Sequence, residues 1–271
     1  MKANNLTISV PYLGCDKKCP YCISKMTGNV ETNTVLFEGN MQKVLGLAER
    51  CGVTNILVTS KGEPILNMLS INIIGDMFHS FILEIQTNGI KLSKHKRLID
   101  ELYKYHYNII AVSVDQPDDF RKFESLWEAI NERNMISRAT VILTRHFDTW
   151  MFRDFINICK TYGIRQLTLR NMTIPDKVVA TKEALEVKNW ILKYGDPQIY
   201  SRLIGAFESL GGDFVRTMSF GARIYDIEGI SFTYFDDCIQ ENTINGDLRS
   251  LIYLEDGHMY TAWDKRGSII F

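Results

Sequence analysis

No stretch of this 271-residue chain reaches the roughly 20 consecutive apolar residues that a membrane-spanning helix needs. Nor does the segment Met1 to Val10, with its single lysine, carry the apolar run of a signal peptide. Both absences favour a cytoplasmic protein with no membrane partner. Net charge is equally scarce: 31 Lys and Arg against 32 Asp and Glu leave −1. The chain as a whole therefore exerts no pull on nucleic acid or anionic membrane, and a polyanionic partner would need a local basic patch. The cluster Lys91, Lys94, Lys96 and Arg97 lies on one helical pattern and reads as a solvated face. Cysteines number six, and Cys51, Cys159 and Cys238 are isolated, which argues against a disulfide framework. Cys51 and Cys159, each at the end of a helical pattern, read as buried small hydrophobes. Long disorder is excluded as well, because 45% hydrophobic and 23% charged residues are ordinary for a globular chain.

The remaining cysteines stand together as Cys15-x3-Cys19-x2-Cys22, and the run lacks a fourth member, since the next cysteine is Cys51. Structural zinc takes four ligands, usually as two pairs, and Cys51 and His79 do not supply a second pair. Three thiolates on a four-iron cluster would instead leave one iron open to a small molecule. The tetrapeptide Cys19-Pro20-Tyr21-Cys22 offers a rival reading as a redox dithiol, in which a helix N-terminus lowers the first thiol's pKa. That reading accounts for only part of the chain and leaves Cys15 without a role.

Short β-rich runs alternate with amphipathic helical patterns, as in a parallel α/β protein. Strands are predicted at 6–10, 54–59, 81–87, 108–114, 137–143 and 166–170. Helices are predicted at about 38–50, 65–79, 92–105, 118–133, 149–162 and 181–194, with Ser93 and Asp148 as N-caps and Gly163 and Gly195 just past helix ends. Six such units are too few for a closed eight-stranded barrel and leave a partial barrel or an open doubly wound sheet. In either, chemistry gathers at the C-terminal ends of the strands. The cysteine run follows the first strand at that edge. The later strands end in Ser60-Lys61-Gly62-Glu63-Pro64, Thr87-Asn88-Gly89, Asp115-Gln116-Pro117, Thr144-Arg145-His146 and Asn171-Met172.

On Cys15-x3-Cys19-x2-Cys22, on Tyr21 before the last cysteine and on Gly62-Glu63-Pro64 after the second strand, the chain resembles the radical S-adenosylmethionine (radical SAM) enzymes. The resemblance implies a partial (β/α)6 barrel over residues 1–195. Residues 196–271 would form a C-terminal helix and β-hairpin extension, a β-rich segment covering the barrel opening. It implies one 4Fe-4S cluster on Cys15, Cys19 and Cys22, with the amino and carboxylate groups of SAM on the open iron. One electron passed to the sulfonium would release methionine and a 5′-deoxyadenosyl radical, which takes hydrogen from a substrate. An electron donor such as flavodoxin or ferredoxin is implied as a partner. By the same resemblance Glu63 meets the methionine ammonium, with Gly62 and Pro64 setting the turn. Tyr21 lies against adenine, Ser113 or Asp115 serves the ribose, and Thr87 and Asn88 sit near the methionine carboxylate or ribose. Lys61 stands where the family has its first glycine, and the family's fifth-strand glycine motif has no counterpart in Ala139–Thr144.

Arg170, ending the sixth strand, suits a substrate carboxylate or phosphate, and equally suits a salt bridge to a neighbouring helix. After Gly195 the pattern changes to a helical stretch at 198–210 and β-like runs at 222–235, 249–254 and 258–271, with turns at Glu228-Gly229, Asp256-Gly257 and Arg266-Gly267. Asp236, Asp237 and Cys238 are further substrate-side candidates, against the plainer reading of a turn with a buried thiol. Tyr260 and Trp263 read as packing residues. With Cys238 the only tail cysteine, a single cluster is expected, and the start of the chain five residues before the first strand leaves no room for a peptide-recognition module. The expected reaction is hydrogen abstraction from a small polar molecule, nucleoside-like or amino-acid-like. The alternatives are modification of tRNA or DNA and, from another class, thiol-disulfide exchange through Cys19 and Cys22 without iron.

Overall fold

The alternation of β-branched runs with amphipathic helices folds into one mostly parallel sheet with helices packed along it. The computed structural model describes residues 2–28, 31–195, 197–208, 211–218, 222–235, 247–263 and 268–271. Six strands, β1 (Ala3–Ser9), β2 (Asn55–Thr59), β3 (Ile82–Thr87), β4 (Tyr107–Val114), β5 (Ile136–Ile142) and β6 (Gln166–Arg170), pair in chain order and in parallel. The later strands β7 (Asp213–Thr217), β8 (Arg223–Ile227), β9 (Ile230–Phe235), β10 (Leu248–Tyr253) and β11 (Met259–Tyr260) are added at both edges. β9 runs parallel to β6 and β10 parallel to β1, while β8 with β7, and β11, finish the two edges antiparallel. The order β11-β10-β1-β2-β3-β4-β5-β6-β9-β8-β7 does not close, which makes a partial barrel with an antiparallel C-terminal β extension.

Ten helices among the described residues follow in chain order: α1 (Ile23–Thr27), α2 (Thr34–Arg50), α3 (Met68–Met77), α4 (Ile90–Lys94), α5 (Arg97–Lys104), α6 (Pro117–Lys122), α7 (Glu124–Glu132), α8 (Phe152–Thr161), α9 (Lys182–Tyr194) and α10 (Pro197–Glu208). Alternate strand residues such as Leu6, Ile8, Ile56, Val58, Ile85, Val112, Val141 and Leu169 are fully buried in one core with Phe37, Ile74, Trp127 and Phe155 from the helices. Strands buried on both faces read as continuous apolar runs. Here the opposite face carries Thr7, Ser9, Glu84, Gln86, Arg138, Gln166, Thr168 and Arg170, and these line a cavity of about 910 Å³.

Several expected boundaries shift for local reasons. The helix expected at 92–105 is two, α4 and α5, and Ser93 lies inside α4. Gly89 caps α4 instead, at φ +77°, and the Asn88 side chain accepts from Ile90 N at 2.9 Å, so the helix starts directly after β3. The helix expected at 118–133 breaks at Phe123 into α6 and α7. Asp148 closes a short 3-10 turn over Arg145–Phe147, and α8 is capped by Met151, whose N–H donates to Asp154 at 2.7 Å. α1 and β7 were not legible. Glu228 and Gly229, at φ +54° and +85°, make the tight turn expected between β8 and β9. Cys51 and Cys159 are buried, as expected. Asp236, Asp237, Cys238 and the Arg266-Gly267 turn lie outside the described residues.

Candidate active site

The loop that carries the three cysteines leaves β1 at the C-terminal edge of the sheet and is held there by four other strand ends. After β2, Glu63 N–H donates to the Gly14 carbonyl at 3.0 Å. The contact needs glycine at 62, because a Cβ there would stand 2.0 Å from Gly14 O and 2.7 Å from the Tyr12 ring. After β3, the Asn88 side-chain amide donates to Asp16 Oδ1 at 2.7 Å. After β4, Asp115 pairs with Lys17 of the loop, both side chains about four-fifths buried. After β10, the Glu255 carboxylate accepts from Tyr12 N–H at 2.8 Å. Beyond Cys22 the chain turns into α1, which packs on α9 through Met26, Val187 and Ile191 and pairs Lys25 with Glu183 at 2.8 Å.

Glu63 is an enclosed carboxylate of this rim, at 3% exposure. Its Oε1 accepts from Thr87 Oγ1 at 2.6 Å and Ile65 N at 3.1 Å, and its Oε2 accepts from Asn88 N at 2.7 Å. A carboxylate offers about four acceptor positions, so roughly one stays open. Burial pushes the Glu63 carboxyl above its ordinary value, and these three donors oppose the shift. Pro64 opens a 3-10 turn that Glu63 itself caps.

Of the residues expected at the site, Gly62, Glu63, Thr87, Asn88 and Asp115 take part in these contacts, Asn88 Nδ2 also donates to Cys15 Sγ at 3.8 Å, and Cys19 and Cys22 lie on the same loop. Ser113 is half-buried on β4, two residues before Asp115. Tyr21 turns toward α9, its ring 5.7 Å from that of Trp190. Arg170 lies apart from the rim contacts and lines the cavity. Sequence reasoning missed Asp16, Lys17 and Glu255. Lys17 and Asp16 sit inside the cysteine run and were open to being weighed. Glu255 gave no signal, because the pairing of β10 with β1 joins residues far apart in sequence.

All three thiols are free, Cys15 exposed and the others partly so. Burial, with the Asp115 carboxylate second, pushes Cys19 up to about 12. Burial likewise raises Cys15. A helix N-terminus is one device that lowers the attacking thiol of a redox dithiol, and here α1 begins only at Ile23, with Cys22 and not Cys19 at its N-cap. Among the described residues no three His, Cys, Asp or Glu side chains converge on a single metal ion. A donor set of three free, soft thiols on one anchored loop fits an iron-sulfur cluster, which takes cysteines at separate irons.

Next to the rim, the cavity is reached by Ile23, Ser24 and Thr27 of α1 and by Ser60 and Lys61 before Gly62. Lys61 donates to Thr27 Oγ1 at 2.7 Å, and burial lowers its ammonium pKa, with Glu255 opposing. Across the strands, Glu84 pairs with Arg138, Gln86 Nε2 donates to Glu84 at 3.2 Å and Arg138 Nε donates to Gln166 at 2.8 Å. Ala111 sits between Gln86 and Arg138 in the register, and its small side chain leaves the arginine room to reach β3.

No curated protein matches the chain. Among solved structures, Streptococcus suis SuiB bound to precursor peptide SuiA is similar with a TM-score of 0.55 at 14% identity, over 97% of this chain and 60% of that one. A second crystal structure of Streptococcus suis SuiB gives a TM-score of 0.55 at 13% identity, over 96% of this chain and 60% of that one. The chain thus spans about 60% of the length of these structures, and the likeness is one of fold. Residues 9–185, from the end of β1 into α9, match the radical SAM superfamily, and the chain belongs to that superfamily of enzymes, which use a 4Fe-4S cluster and S-adenosylmethionine.

Proposed function

We propose that Cys15, Cys19 and Cys22 hold one 4Fe-4S cluster at which SAM is cleaved, and that the cavity beside the loop holds a small polar substrate, nucleoside-like or amino-acid-like. The observation that carries this reading is the anchoring of the cysteine loop to the ends of β2, β3, β4 and β10, with a cavity of about 910 Å³ that reaches Ile23 and Ser24 just beyond Cys22. That volume lies within the range of small-molecule sites. The bound cluster and SAM would supply a 5′-deoxyadenosyl radical for hydrogen abstraction.

The chain's own residues position these groups. Glu63, fixed by Thr87, Asn88 and Ile65, offers its remaining acceptor position to the methionine ammonium, and Gly62 lets that turn lie against the cysteine loop. Asp115, held by Lys17, and Ser113 would serve the ribose. Thr87 and Asn88 would serve the methionine carboxylate or ribose, and Pro64 opens the turn that Glu63 caps. Tyr21, braced by Trp190, supports the adenine side of the loop. An electron donor of the flavodoxin or ferredoxin kind would reach the exposed side of the loop at Cys15. Iron analysis of two variants tests these roles. Cys19→Ala should lose iron, whereas Glu63→Ala should keep it and bind SAM more weakly; iron lost in both would contradict the assignment.

A further inference from the structure

We infer that the cavity's substrate is an anion, and that Arg170 binds its carboxylate or phosphate group. The inference rests on the cavity being the substrate chamber of the function proposed above.

The charge of the lining points there first. The whole chain carries −1, yet among the described residues the cavity is lined by Lys61, Arg138, Arg170 and Arg216 against one carboxylate, Glu84. Positive charge is concentrated on this face of the sheet, and a walled cleft of one sign focuses the field on its contents. Glu84 does not balance the excess, because its carboxylate is 4% exposed and engaged by Arg138 and Gln86. Arg138 is occupied in turn by Glu84 and Gln166.

Arg170 differs from Arg138. It is half-buried at the C-terminal end of β6, on the cavity face, two residues beyond Thr168, which also lines the cavity. Among the described residues its guanidinium has neither an ion pair nor a side-chain hydrogen bond, although five N–H donors are available. A partly desolvated guanidinium is stabilised by a planar or tetrahedral anion that accepts two parallel N–H bonds. Its register partners are Ile142 on β5 and Phe235 on β9, neither of which is acidic. The alternative reading from sequence, a salt bridge to a neighbouring helix, is not made by any described residue.

The test uses the iron-reconstituted chain, with inorganic phosphate and acetate as probes and chloride as the control at matched ionic strength. The wild type should show a saturable rise in melting temperature with phosphate or acetate beyond that with chloride, and the stronger of the two identifies the anion class. Arg170→Gln should weaken that binding about tenfold or more, the loss expected of a charge-assisted pair. Arg170→Lys, which keeps the charge without the fork, should retain an intermediate affinity and stands in if the glutamine variant fails to fold. Equal anion binding by wild type and both variants, or no anion effect beyond chloride in the wild type, overturns the inference. Competition between SAM and the anion would assign Arg170 to the SAM carboxylate and overturn it as well. Formation of 5′-deoxyadenosine by the wild-type preparation is read separately. Its presence without an anion effect rejects the inference alone, and its absence beside Arg170-dependent anion binding rejects the proposed radical chemistry alone.

Discussion

The backbone N–H of Asn88 donates to the Glu63 carboxylate across 2.7 Å, while its side-chain amide donates to Asp16 across another 2.7 Å. One residue at the end of β3 thereby couples the turn after β2 to the cysteine loop after β1. Glu63→Ala removes the acceptor shared by Asn88 N–H, Ile65 N–H and the Thr87 hydroxyl. Each buried group left unpaired costs about 1–3 kcal/mol, so a loss of at least that size is expected in urea unfolding. Glu63→Gln keeps one carbonyl oxygen and should recover part of it. Equal stability of wild type and the alanine variant would show that these bonds do not hold the rim.

Gly62→Ala should disturb the cysteine loop itself. The added methyl meets a backbone carbonyl, Gly14 O, and not the yielding end of a long side chain. Overpacking of this kind costs typically about 1–3 kcal/mol, and here the chain that must shift carries Cys15. Lower iron uptake after reconstitution, with a lower melting temperature, is the expected result. Unchanged iron content would mean that the turn after β2 does not set the loop.

In the cavity, Arg138→Met leaves the Glu84 carboxylate buried and unpaired. Breaking such a pair costs roughly 3–5 kcal/mol when both ends are enclosed, and with Arg138 22% exposed the lower end, about 3 kcal/mol, is expected. The double variant Glu84→Met with Arg138→Met should cost much less, because no charge is stranded. Denaturant unfolding of the two variants compares them, and a double variant as damaged as the single one would contradict the pairing.

The β8–β9 turn offers a pH test. Hydrogen bonds from Lys160 first and Arg153 second, both on α8, bring the exposed Glu228 carboxyl down from 4.5 to about 2. A carboxyl depressed on folding stabilises the protein above its unfolded value of 4.5, and the contribution fades as pH falls toward about 2. Wild type should therefore unfold later than Glu228→Gln near neutral pH, with the difference shrinking through that acid window. Added salt should narrow it too, since the groups are exposed. A difference independent of both pH and salt would rule out this origin.

The sequence made the six central strands legible because each is a short β-rich run bounded by turn residues, and strand β6 falls at its expected residues 166–170. The cysteine loop and the strand-end turns were legible for the same reason: parallel topology brings successive strand ends to one edge. Two classes of feature were hidden. The pairing of β10 with β1 and of β9 with β6 depends on contacts between distant segments, so Glu255 could not be placed at the rim. The polar cavity was written in the alternation of Thr7 and Ser9 with Leu6 and Ile8, or of Gln166, Thr168 and Arg170 with Leu167 and Leu169. Its meaning needed the second fact that only the apolar set packs beneath helices. The packing of the Tyr21 ring beside Trp190, some 170 residues away in the chain, is a contact of the same distant kind.

The central claim is that three thiols on a loop anchored by four strand ends make a site for reductive cleavage of SAM. Anaerobic reconstitution with iron and sulfide, followed by incubation with SAM and dithionite, tests it directly. The account predicts 5′-deoxyadenosine from the wild type and none from Cys19→Ala. A wild-type preparation that takes up iron and binds SAM yet releases no 5′-deoxyadenosine would contradict it.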